Sequence, residues 1–190
     1  ELAAWQVLEI GKNWREADAD VAEAIDCWRY YADVAERLLG WHPTRDFPGE
    51  RNAARYEALG PTAVIAPWNF PLAILSGMSA AALVCGNPVL MKPASAAQLN
   101  AALLHEILLA AGFPPAVAQL LPGDGASLGA LLAAHPDVAA IAFTGSREVG
   151  LALLEQAHRR TPEQKCVKRV ICEMGGKNAI IVDEDADLDE

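Results

Sequence analysis

Apolar residues follow two different habits along this chain. At Val21, Ile25, Trp28, Tyr31, Val34, Ala35 and Leu38 they keep helical spacing, and the pattern breaks at Gly40 and Pro43, so the first forty residues predict two helices. A loop containing Pro, Gly and Arg covers 41 to 61. Beyond it, short β-branched runs alternate with helical segments of about fifteen residues. "TAVIAP", "PVLMKP", "VAQLLP" and "VAAIAFT" read as strands, and 71 to 85, 97 to 111, 126 to 134 and 146 to 158 as the helices between and after them. Two further strands are expected near 168 to 173 and 178 to 182.

Alternation of this kind predicts right-handed βαβ units, hence an α/β fold with a Rossmann-like, mostly parallel sheet flanked by helices. The expected division is 1–60 for the N-terminal helices and connecting loop, and 61–190 for the α/β unit. The longest apolar stretch, "PLAILSGMSAAALVCG" (71 to 86), starts at a proline, ends at a glycine and is too short to span a bilayer, so it reads as a buried helix. With no leader-like opening either, the expectation is a cytoplasmic protein.

In such sheets ligands sit beyond the carboxyl ends of the strands, which makes the strand tips the residues to read. "PWNFP" (67 to 71) places Pro71 where a helix can begin and leaves the Asn69 amide free to donate hydrogen bonds, although a plain turn reads the same way. "MKPAS" sets Lys92 at a strand tip, able to reach a ribose or phosphate or to extend into solvent. "PGDGASLG" spaces Gly123, Gly125 and Gly129 as GxGxxxG, one residue longer than the dinucleotide fingerprint, and lacks the GK[ST] of a P-loop. "FTGSREVG" brings Thr144, Gly145 and Ser146 to a helix entry, an arrangement that suits an anion or a simple N-cap. In "KRVICEMGG" the carboxylate of Glu173 is followed by Met174, Gly175 and Gly176. Partly desolvated, it is a usable general base near neutral pH; in water it is an ordinary edge glutamate.

Composition narrows the partners. Fifteen Lys and Arg stand against 25 Asp and Glu, a net charge of −10, which gives nucleic acid little electrostatic purchase. Cys27, Cys85, Cys166 and Cys172 form no CxxC pair and have no nearby His to complete a zinc site, so no metal is expected and the thiols read as reduced. The acids of "DEDADLDE" (183 to 190) alternate like calcium ligands, but Leu188 occupies the position where an EF-hand needs glycine, and a solvated acidic stretch is the better reading.

Taken together and in order, "PWNFP", "MKPAS", "FTGSREVG" and "EMGGKNAIIV" resemble the aldehyde dehydrogenase superfamily over residues 21 to 190. The surrounding wording is most similar to members that oxidise glutamate γ-semialdehyde, the open form of 1-pyrroline-5-carboxylate, to glutamate in proline breakdown. The resemblance implies attack on an aldehyde by a cysteine thiolate, hydride transfer to NAD or NADP, and hydrolysis of the resulting thioester. It implies Asn69 as the oxyanion donor and Glu173 as the base for the hydrolytic water. It gives Lys92 to the adenosine ribose and Ser146 to the pyrophosphate. The backbone from Ile65 through Ala66 and Pro67 to Trp68 would line the nicotinamide ribose. Ala94, Ser95, Gly123, Phe143, Thr144, Gly145, Val149, Met174 and Gly175 complete the implied cofactor site.

Two departures qualify the match. Ser95 stands where many NAD-preferring members have a glutamate for the ribose hydroxyls, which leaves NAD against NADP open. The nucleophilic cysteine implied by the resemblance, in a GQxC motif beyond the EMGG segment, is none of the four present: Cys172 adjoins Glu173 on a strand, where neighbouring side chains point to opposite faces. The expectation is therefore the cofactor-binding portion of a longer, homo-oligomeric dehydrogenase, inactive alone and in some bacteria fused behind a proline dehydrogenase. The rival is a nucleotide-binding module without catalysis, or a dehydrogenase of another aldehyde. Glu23 and Asp26 are candidates for the substrate entrance.

Overall fold

Three consecutive residues stop one helix and start the next. Gly11 takes the left-handed conformation (φ 73°) and its N–H donates to the Val7 carbonyl, closing α1 (Leu2–Ile10). Two residues later the Asn13 side chain accepts from the Glu16 N–H at 2.9 Å and opens α2 (Trp14–Leu38). In this computed structural model, which describes residues 1–186, those helices precede a short antiparallel pair, β1 (His42–Pro43) and β2 (Ala53–Ala54). That pair lies inside the segment expected to be loop.

The α/β unit then runs β3 (Thr62–Ile65), α3 (Ala73–Val84), β4 (Val89–Lys92), α4 (Gln98–Ala110), β5 (Ala118–Leu120), α5 (Gly125–Ala134), β6 (Ala140–Thr144), α6 (Arg147–Ala157) and β7 (Arg169–Glu173). The five strands from β3 onward form one parallel sheet in the order β5-β4-β3-β6-β7. The chain moves outward from β3 to β5 and then crosses to β6 on the other side, so the direction of winding reverses beside β3. Such a reversal opens a crevice at the carboxyl edge.

Burial on both faces explains why the strands read as apolar runs. All four residues of β3 are buried. Val64 points into a core with Leu75, Val89, Met91, Leu104 and Leu108, while Ala63 and Ile65 point into a second with Leu132, Ile141, Phe143 and Leu153. Ala24 belongs to the first core and Val21 and Trp28 pack against it, so α2 lies on the α3 side of the sheet.

Three sequence expectations need correction. The packed stripe of α2 runs through Ala17, Asp20 and Ala24, and Ile25 and Leu38 of the expected face remain exposed, because a carboxylate on that face is drawn inward to cap α3. Helix α3 begins at Ala73, and Pro71 lies in the turn before it. Residues 178–182 form no strand: Ile180 and Ile181 are 91% and 92% exposed, and the segment pairs with neither edge strand of the sheet, β5 or β7. Leu188, on which the calcium-loop reading failed, lies outside the described residues. Among the described residues no cluster of His, Cys, Asp or Glu could hold a metal ion, and no helix is long and apolar enough to cross a membrane.

Candidate functional site

Register brings the strand tips to one level. Ile65 pairs with both Lys92 and Phe143, and Thr144 pairs with Glu173. Beyond that level lies a cavity of about 930 Å³, walled by the β3–α3 loop, the tip of β4, and the facing sides of α5 and α6. Its size falls at the upper end of that of ligand pockets. Of the residues expected to bind cofactor, Ile65, Ala66, Pro67, Trp68, Lys92 and Ala94 line it, as do Phe143, Thr144, Gly145, Ser146, Val149, Met174 and Gly175. Asn69 lines it as well.

Lys92 does not extend into solvent. It is 3% exposed, and its ammonium turns back to donate to the Pro93 carbonyl at 2.6 Å. Burial pushes its pKa below the usual lysine value, an effect that the neighbouring Asp124 charge partly offsets. A desolvated cation beside a cavity interacts with a polar or anionic ligand more strongly than one in water.

Asp124 itself caps α5. Its Oδ2 accepts from the Ser127 N–H at 2.8 Å and from the Ser127 hydroxyl at 3.0 Å, and these bonds hold the carboxyl below its ordinary pKa. The helix start in "PGDGASLG" thus already carries an anion of its own. Gly125 and Gly129 serve the cavity differently, by leaving the α5 wall without side chains.

At α6 the cap is neutral: the Ser146 hydroxyl accepts from the Val149 N–H at 3.3 Å. The turn before it is tightly packed. A Cβ on Gly145 would come within 2.7 Å of the Phe143 ring, and one on Gly150 within 2.7 Å of the Met174 sulfur. The second glycine therefore admits Met174 to the cavity wall.

Other expected residues lie elsewhere. Ser95 and Gly123 are not in the lining; the Ser95 hydroxyl donates to the Gly123 carbonyl at 3.4 Å, so the two are tied to each other. Glu173 is exposed, as in the edge-glutamate reading of its sequence, because β7 is an edge strand and no described element covers it. Its backbone carbonyl accepts from the Gly145 N–H at 3.0 Å, which fixes the position of the EMGG segment against the α6 turn. None of the four cysteines lines the cavity. Cys172 is half-buried and packs toward the second core, its thiol raised above the ordinary pKa by burial.

Sequence reasoning missed the helical wall, contributed by Ala126, Ala130, Ala152 and Gln156 among others. The signal was present, since Gly125, Ala126, Gly129 and Ala130 repeat small residues at helical spacing. It also missed Asp20, which sits 1% exposed behind the Asn69 loop and accepts from the Leu72 and Ala73 N–H groups at 3.2 and 3.3 Å.

Comparison with known proteins agrees with this geometry. The profile of the aldehyde dehydrogenase family matches residues 1–190. A 1-pyrroline-5-carboxylate dehydrogenase of Geobacillus thermodenitrificans is 51% identical over 189 residues, which cover all of this chain and 37% of the relative. A solved 1-pyrroline-5-carboxylate dehydrogenase from Thermus with bound NAD is 49% identical and superposes with a TM-score of 0.89, covering 93% of this chain and 34% of that one. Proline utilization A from Bdellovibrio bacteriovorus, 51% identical, superposes with a TM-score of 0.92 over 99% of this chain and 20% of that one. The chain thus spans little more than a third of the length of the curated relatives it matches.

Proposed function

Because the chain belongs to the aldehyde dehydrogenase family, matched from residue 1 to residue 190, we propose that it forms the NAD-binding part of an enzyme that oxidises glutamate γ-semialdehyde to glutamate. The observation that carries this reading is the meeting of Asn69, the buried Lys92 and the Ser146 helix start on one cavity. NAD suits those residues: the volume is adequate, the glycine-lined α5 wall admits a flat ring, and a buried ammonium stands opposite a helix start with a neutral cap. The Thermus relative with bound NAD supports NAD over NADP.

Lys92 would hold the adenosine ribose and the Ser146 turn the pyrophosphate, with the β3–α3 backbone along the nicotinamide ribose. A bound NAD would supply the acceptor for the hydride that leaves the substrate carbon. The Asn69 amide donates a hydrogen bond to the carbonyl oxygen as negative charge develops there, a role suited to a neutral donor fixed in advance. Glu173 takes a proton from the hydrolytic water on a carboxylate oxygen, at a point where Gly175 and Gly176 leave the backbone open. The nucleophilic cysteine lies outside this chain.

A binding module without turnover is the rival reading, favoured by the lack of a cysteine at the cavity among the described residues. The test is NAD and NADP reduction with glutamate semialdehyde by the full-length gene product, beside a Glu173→Gln variant. Turnover by the wild type, with a hydride burst and then a stall in Glu173→Gln, supports the enzyme and the base. Nucleotide binding without oxidation of any aldehyde supports the module.

A further inference from the structure

The loop that carries Asn69 is held from behind by two side chains that never reach the cavity. Lys12, in the connector after Gly11, sends its ammonium to the Asn69 carbonyl at 2.7 Å and lies 3.9 Å from the centre of the Phe70 ring. Three residues further on, the Asp20 carboxylate accepts the Leu72 and Ala73 N–H groups at the start of α3. The two charges stand 4.0 Å apart, with side chains 8% and 0% exposed. The segment from Asn69 to Ala73 is therefore tied at both ends, to one ion pair contributed by α2 and the connector before it.

We propose that Lys12 and Asp20 are positioning residues for Asn69, setting the direction in which its amide enters the cavity. The proposal rests on the role given to Asn69 above. Its physical basis is that an oxyanion donor contributes only if it is already aimed when charge develops. A free loop of this kind has soft backbone dihedrals, and fixing the carbonyl of Asn69 removes one of the two beside its Cα, so that Cβ has a set direction. Neither charged group is drawn there by solvent, since both are buried. Their burial is sustained by the ion pair, by three backbone hydrogen bonds and by the aromatic ring. Gln6, also fully buried beside Asp20, lends its dipole to the carboxylate without reaching hydrogen-bonding geometry.

The experiment compares Lys12→Met, Lys12→Arg, Asp20→Asn and Asn69→Ala in the full-length gene product, measuring kcat, KM for the aldehyde and NAD affinity by fluorescence. In the expected result Lys12→Met lowers kcat by about 10- to 100-fold, as loss or misplacement of an oxyanion donor does. NAD affinity then changes less than about twofold, Lys12→Arg restores much of the rate because it keeps a buried cationic donor, and Lys12→Met adds nothing in an Asn69→Ala background. If Lys12→Met lowers only the melting temperature and leaves kcat intact while Asn69→Ala is crippled, the positioning role is wrong and the reading of Asn69 survives. If kcat and NAD affinity collapse together, the pair maintains the cavity in general and the proposal also fails. Full activity in Asn69→Ala overturns the role of Asn69 itself, and the proposal with it. Should Asp20→Asn not fold, the two Lys12 variants decide alone.

Discussion

Glu9 on α1 holds Asn100 on α4 with a single carboxylate oxygen, which accepts from the Asn100 backbone N–H at 3.0 Å and from its side-chain amide at 2.5 Å. The other oxygen accepts from the Leu99 N–H at 2.6 Å. Helix α4 has no cap from its own sequence, since Ala97 stands at the N-cap position. A side chain ninety residues away supplies what the local sequence lacks. Glu9→Ala should therefore cost about 1–3 kcal/mol, because it strips the cap and strands the fully buried Asn100 amide. Thermal unfolding of Glu9→Ala beside the exposed control Glu106→Ala measures this. A loss no larger than the control's would show that α4 needs no such cap.

Asp20 gives stability a pH dependence of unusual sign. Burial raises its carboxyl above the ordinary 3.8, and Lys12, the Leu72 and Ala73 amides and Gln6 oppose the rise without cancelling it. A carboxyl with a raised folded pKa binds more protons folded than unfolded between the two values, so its contribution to stability falls as pH rises through that window. The melting temperature of the wild type should accordingly decline relative to Asp20→Asn as pH rises from about 4. A difference that stays flat or runs upward would mean the carboxylate is not penalised by its site.

Gly145 is required for space, not for its backbone conformation. The 2.7 Å approach that its Cβ would make is to the ring of Phe143, itself 4% exposed and packed in the second core. Gly145→Ala should cost about 1–3 kcal/mol by overpacking and displace the ring toward the cavity, weakening NAD binding. The double variant with Phe143→Leu should regain stability. If the single variant is neutral, the turn has slack that the close packing does not suggest.

Lys168 closes the far end of α5. Lys168 is 4% exposed, and its ammonium donates to the Ala133 carbonyl at 2.6 Å and to the His135 carbonyl at 2.7 Å. Lys168→Met should cost about 1–3 kcal/mol by leaving these carbonyls without a partner. Burial lowers the lysine's pKa below 10.5, an effect that Cys166 partly offsets. The folded state then binds fewer protons than the unfolded state, so the wild type should gain on Lys168→Met as pH approaches about 10.5. Chemical denaturation at neutral and alkaline pH separates the two effects.

How much of this was legible depends on how far apart the interacting residues are. The parallel sheet could be read because strands buried on both faces are written as unbroken apolar runs, and Ile65, Lys92 and Phe143 could be placed because a strand tip is a local feature. Asp124 stands where capping rules put a carboxylate, yet the glycines around it carry the louder signal of a phosphate cradle. Asp20 and Glu9 could not be found this way, since they cap helices 52 and 90 residues distant and look like ordinary acids on exposed helices. The unpaired 178–182 segment escaped, and Glu173 stayed open between two readings, for the converse reason: apolar patterning marks a strand's capacity to be covered, and no described element covers these.

Four helices start at the carboxyl edge of the sheet, and their caps are not alike. Asp20 serves α3, Glu9 serves α4 and Asp124 serves α5, whereas α6 has only the hydroxyl of Ser146. Glu148 lies in the first turn of α6, but Arg147 adjoins it. Three of the four positive helix ends are therefore cancelled from within the chain. The positive groups left facing the cavity are the start of α6 and the buried Lys92 ammonium. The fold sets polarity by subtraction: the three acids hold the scaffold together and, in doing so, answer the helix ends they cap.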